Sequence, residues 1–83
     1  MNLRWKRDKD GERNTRADRL YAAVSGENIY DVATKVPSLK DEHLEPCVAW
    51  VNNIPFAKPT SLEAGKTLCQ EIADAVAKAE GKV

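Results

Sequence analysis

The amino-acid sequence predicts an α+β fold, an antiparallel sheet of three to four strands with one C-terminal α-helix packed on one face. Three observations carry this. The stretch "CVAWVNNIPFA" (47–57) alternates in the manner of a strand. From Leu62 to Ala79 the apolar residues return at three- and four-residue steps, the stripe of an amphipathic helix. Between the first turn and that strand, "SGEN" (25–28) separates two segments whose second half is rich in β-branched and aromatic residues.

In chain order, "NLRWKRD" places Leu3 and Trp5 on one side and Arg4 and Lys6 on the other, which reads as a half-buried strand. Asp10-Gly11 in "DKDGERN" is a dipeptide favoured in tight hairpins, so a turn is expected there. Residues 15–36 admit two readings. Tyr30, Val32, Thr34 and Val36 alternate as in a hairpin strand, with Ser25-Gly26-Glu27-Asn28 as the turn. Thr15-x-x-Asp18 resembles a helix cap, and Ile29, Val32, Ala33 and Val36 also fit helical spacing. The hairpin is preferred, and Pro37 closes either element. "SLKDEHLEP" (38–46) reads as a polar surface loop.

In the next strand Val48 and Trp50 share one side, with Asn52 a candidate for the same side; Cys47, Ala49 and Val51 share the other. Asn52-Asn53 suits a turn with left-handed residues, and Pro55 makes "IPFA" an edge or a bulged continuation. The helix is expected over about 60–80. Thr60-x-x-Glu63 is its capping box, Pro59 lies just outside, and Gly81 is its stop. Its stripe is Leu62, Gly65, Cys69, Ile72, Val76 and Ala79, widened by Leu68 and Ala75. Lys66, Gln70, Asp74 and Lys78 fall opposite. Trp50, Val48, Val32, Leu68, Ile72 and Val76 are expected to meet in the core.

Within that helix "LEAGKT" carries the last three letters of a phosphate-binding loop, Gly65, Lys66 and Thr67. The loop needs a glycine where Thr60 stands, and it needs its Gly-Lys-Thr at a helix start, where amides are free. Lys66 lies inside the helix instead. Gly65 then costs the helix about 1 kcal/mol against alanine. Close approach of the helix backbone to the sheet is the expected return.

Eighty-three residues set one small domain, 1–83, which buries roughly 60–65% of its unfolded surface. With 42% hydrophobic and 31% charged residues the balance is that of a globular chain, not a disordered one. No apolar run approaches the roughly 20 residues of a membrane span, and "MNLRWKRDKD" lacks the apolar region of a signal peptide. A cytoplasmic protein without a membrane partner is expected. Cys47 and Cys69 form no metal-binding spacing and read as buried free thiols. His43 stands in an acidic loop with Asp41, Glu42 and Glu45, where no second histidine completes a metal or catalytic set. Ser25, Ser38 and Ser61 read as turn or cap residues. No catalytic group, cofactor or metal is expected.

Charge is balanced overall but unevenly placed. Residues 1–19 hold seven Lys/Arg against four acids, +3, which leaves −3 for the remainder. Candidate partner-binding residues are therefore Arg4, Lys6, Arg7, Arg13 and Arg16 at the basic end, and Asp41, Glu42 and Glu45 in the acidic loop. Tyr30, with Tyr21, is a candidate for an aromatic patch on the sheet face that the helix leaves open.

The order "LRWKRD", turn, Tyr-containing hairpin, "VAWVNNIPFAKPTSLEAGKTLCQEIADAV" resembles small phage- and prophage-encoded proteins made of a β-meander and one C-terminal helix. Trp50, Asn52, Asn53, Leu62, Glu63 and Ala64 fit their pattern, in which Gly65-Lys66 replaces a commoner Ala-Lys. The resemblance is architectural and carries no binding residue over. Members with a known role include anti-CRISPR proteins and other inhibitors that occupy a surface of host machinery. It implies a non-catalytic protein-binding module acting on a bacterial protein or complex, including inhibition of a defence complex, as a monomer or homodimer. The alternatives are a nucleic-acid-binding accessory protein using the basic N-terminal hairpin, and a structural or assembly subunit joined through a sheet edge.

Overall fold

In a computed structural model, which describes residues 2–37 and 44–81, the chain forms an antiparallel meander capped by a long helix. The strands are β1 (Lys6–Arg7), β2 (Arg19–Ser25), β3 (Asn28–Pro37), β4 (Leu44–Val51) and β5 (Ile54–Ala57). Helix α1 (Lys9–Thr15) lies between β1 and β2, and α2 (Leu62–Ala79) follows β5. Sheet order follows chain order, β1-β2-β3-β4-β5, so every connection joins neighbours.

The α+β class and the C-terminal helix agree with the sequence reading; the sheet has five strands among the described residues, where three to four were expected. The extra strands are the short edges. β1 contributes two residues, paired Lys6↔Ala22 and Arg7↔Tyr21. β5 is the "IPFA" continuation, bulged between Ala49 and Trp50 and bearing Pro55 at the edge. Residues 19–36 resolve to the hairpin, with Ser25↔Asn28 closing its turn and Gly26 at φ 61°. Asn52 (φ 51°) and Asn53 (φ 68°) form the left-handed two-residue turn from β4 to β5.

The expected turn at Asp10-Gly11 is instead helix α1. Asp8 caps it, its Oδ1 accepting from Gly11 N at 3.0 Å. Asp10 and Glu12 sit in its first turn, and Arg16 ends it in the left-handed region at φ 59°. Gly11 is there for space: a Cβ would stand 2.9 Å from Asp8 Oδ2 and 3.1 Å from Leu20 Cδ2.

Two layers pack on opposite faces of the sheet. On the α2 side, Tyr30, Val32, Cys47, Ala49, Cys69 and Ala73 form the buried cluster, with Leu3, Trp5, Phe56, Leu62 and Ile72 against it. Val48 and Trp50, expected in that core, point the other way, while Cys47, Ala49 and Val51 face the helix. The cause is steric. α2 presents its small residues Gly65, Cys69 and Ala73 to the sheet, which lets the helix backbone come close to Val32 of β3 and to Cys47 and Ala49 of β4. A Cβ on Gly65 would meet Val32 Cγ1 at 2.6 Å and Pro59 Cγ at 3.1 Å, so the close approach expected there is present.

The helix begins one residue later than the capping box implied. Ser61, not Thr60, is the cap, its Oγ accepting from Ala64 N at 3.1 Å. Serine is the better N-cap of the two adjacent hydroxyl residues, and Pro59 just before them is buried. Gly65 N donates to Ser61 O at 3.0 Å, which commits the amide a phosphate would need. Gly81, at φ 73°, follows the last turn as expected. Ala75 and Ala79, placed on the apolar stripe from sequence, are exposed, and Ala73 takes the buried position.

Candidate docking face

The face opposite α2 is only half covered. Strand register puts one row of side chains straight across it: Lys6, Ala22, Asp31, Trp50 and Pro55. The neighbouring row, Leu20, Ala33 and Val48, is buried where α1 lies over the sheet. The row on the other side exposes the cross-strand pair Val24 (67%) and Ile29 (42%). An apolar strip thus continues from under α1 into solvent, and Asp31 interrupts it.

A groove of about 340 Å³ opens between α1 and the sheet, lined by Asp8, Asp10 and Asn14 from the helix side and by Leu20, Asp31, Trp50 and Asn53 from the sheet. None of the described residues lining it is Lys or Arg. Burial raises the Asp31 carboxyl above its ordinary value, and the Asp8 carboxylate adds to that shift. Among the described residues no cation pairs with Asp31. No group of three or more His, Cys, Asp or Glu there converges to hold a metal. A half-buried carboxylate beside an indole, with a second carboxylate near, suits an organic cation that can stack and donate hydrogen bonds.

The residues nominated from sequence do not gather into one site. Arg4, Lys6 and Arg16 are exposed. Arg7 is occupied internally: its Nε and Nη2 donate to the two Glu12 carboxylate oxygens at 2.8 and 3.1 Å. Glu12 Oε2 also accepts from Leu20 N at 3.1 Å, and the pair of contacts lowers its carboxyl to about 2. Arg13 faces Asp10 at 3.6 Å. Glu45 accepts from Lys58 Nζ at 3.1 Å, and Asp41 and Glu42 lie outside the described residues. Tyr30 is a correction: it is fully buried under α2 rather than displayed on an open face. The open-face aromatic is Trp50. Tyr21 lies on the α2 side, with Lys66 Nζ 4.7 Å from its ring centroid.

Asp31 and Asp8 escaped the sequence reading. The signal for Asp31 was available: a carboxylate inside "IYDVATKV", in the middle of an apolar strand and paired across the sheet with Ala22 and Trp50.

The chain matches no protein-family model, no curated protein and no solved structure. No helix among the described residues is long and apolar enough to cross a membrane.

Proposed function

We propose that this is a non-catalytic protein-binding module that docks through the sheet face opposite α2. Its partner presents a segment in which a lysine or arginine is flanked by apolar residues. The cation enters the groove beside Asp31, Asp8 and the Trp50 indole, and the apolar flanks cover Val24, Ile29 and Pro55. The observation that carries this reading is Asp31, half-buried between apolar neighbours and paired with no cation among the described residues. Such a group lowers the stability of the free protein and is made good by a partner.

The architectural resemblance to phage-encoded proteins supports a bacterial protein or complex as that partner, and occlusion of its surface as the mechanism. In that setting the module works in the bacterial cytoplasm, and inhibition of a defence complex is the sharper form of the proposal. The acidic groove hastens encounter with a basic surface, while burial of Trp50 and the exposed aliphatics slows release.

The test is capture of a partner by the wild-type chain and by the Asp31→Lys variant. Loss of the partner on that single reversal supports the groove. Equal retention refutes it.

A further inference from the structure

The row that crosses the open face has a period of two strands. Lys6 stands on β1, Asp31 on β3 and Pro55 on β5, with Ala22 and Trp50 on the strands between them. Neighbouring strands lie about 4.8 Å apart, so the three follow one another at intervals of about 9.6 Å. Lys6 and Pro55 are exposed, and Ala22, Asp31 and Trp50 are half-buried. Among the described residues no carboxylate pairs with Lys6 and no cation pairs with Asp31. Opposite charges two strands apart, neither of them neutralised, complement a segment that carries the reverse dipole.

The interval selects the conformation of that segment. A polyproline II helix has three residues per turn and rises about 3.1 Å per residue, so positions i, i+3 and i+6 share one edge at intervals of about 9.3 Å. Side chains on one face of an extended strand recur at about 6.6 or 13 Å instead. An α-helix is about 10–12 Å across with its side chains. It has too little room here, because α1 covers the row of Leu20, Ala33 and Val48, about 6.6 Å away along the strands.

We infer that the docking face reads a polyproline II segment laid across the strands, with a carboxylate at i on Lys6, an arginine or lysine at i+3 on Asp31, and an apolar side chain at i+6 on Pro55. Asp31 keeps the docking role proposed above, on which this rests, and the partner's sequence becomes acid-x-x-base-x-x-apolar. The residues between the base and the apolar position lie on the Trp50 indole, the kind of aromatic surface on which such segments dock. A polyproline II backbone has no internal hydrogen bonds. The side-chain amides of Asn14 and Asn53, which line the groove, donate to its carbonyls.

The experiment is an amide-shift titration of the full chain with the capped heptapeptide Glu-Pro-Pro-Arg-Pro-Pro-Leu and three relatives. One has Gln for Glu, one has the same composition in the order Pro-Pro-Glu-Arg-Pro-Pro-Leu, and one has norleucine for Arg. Saturable shifts at the amides of Ala22, Asp31 and Trp50 are expected with the first. The Gln and reordered peptides should bind about threefold more weakly, the contribution of one exposed ion pair. Lys6→Ala, at an exposed position, should erase the difference between the Glu and Gln peptides, and Arg4→Ala should keep it. Comparing those two peptides on the unaltered chain makes the test independent of how any variant folds. No saturable shift with any peptide, equal affinity for the first three, or a difference that survives Lys6→Ala overturns the inference. The norleucine peptide separates the two readings. If arginine matters and the acid does not, the acid-to-base pattern fails and Asp31 keeps its role. If norleucine replaces arginine without loss, the docking role of Asp31 fails with it.

Discussion

Asp31 occupies a sheet position whose neighbours along the strand, Tyr30 and Val32, are fully buried. Its carboxyl is raised, above all by burial, so ionisation is easier in the unfolded chain than in the folded one. The unfolded state therefore binds fewer protons, and this residue's contribution to stability falls as pH rises from the ordinary carboxylate value of 3.8 through the folded one. Asp31→Asn is expected to raise stability near neutral pH, with the gain shrinking as the pH falls below that window. Urea denaturation across pH checks it, and a variant less stable than wild type at neutral pH would contradict it. Gly65 makes an opposite kind of statement. Overpacking against Val32 costs about 1–3 kcal/mol, and the ~1 kcal/mol that alanine gains in helix propensity offsets only part of it. Gly65→Ala should therefore lower the denaturation midpoint. A rise would mean that α2 does not lie against β3 as described. The role of Gly65 was legible because a glycine inside a strong helix asks for a steric reason. Asp31 could have been read by the same logic, as a carboxylate inside an apolar strand.

Helix α1 is held by a small polar joint rather than by a buried face, since none of its residues is buried. Glu12 links three segments: its carboxylate takes both donors from Arg7 in β1 and the amide of Leu20 in β2. Its carboxyl lies at about 2 against an ordinary 4.5. The folded state thus holds the charged form more tightly, and the stabilisation is present above 4.5 and disappears as pH falls through about 2. Glu12→Gln should destabilise the protein at neutral pH, with the difference from wild type closing toward pH 2 in denaturation curves. A difference independent of pH would contradict the charged joint. At this scale the sequence was read unevenly. The β2–β3 hairpin, the Asn52-Asn53 turn and α2 followed from local chemistry. α1 did not, because Asp-Gly serves a hairpin turn and a capped helical turn equally well, and a seven-residue helix is too short to show periodicity. The facing of β4 was also hidden. Both of its sides are apolar, and the choice between Cys47–Ala49–Val51 and Val48–Trp50 depends on how closely a distant helix approaches.

The sheet carries α2 over β3 and β4 on one side and α1 over part of the other, and its charge follows that arrangement. Arg7 pairs with Glu12, and Arg13 lies 3.6 Å from Asp10 at the surface, so part of the basic run in the sequence is balanced by neighbouring carboxylates. The groove beside them is acidic and aromatic. Complementarity thus points to a basic segment with apolar flanks, which no inspection of local sequence could supply, because Asp8, Asp31 and Trp50 meet only through the register of the sheet. The most direct test immobilises the wild-type chain, the Asp31→Lys variant and the Arg4→Glu variant, and compares what each retains from a bacterial lysate. The account predicts a protein held by wild type and by the Arg4→Glu variant but lost from Asp31→Lys. A protein held equally by Asp31→Lys and lost from the Arg4→Glu variant would contradict it.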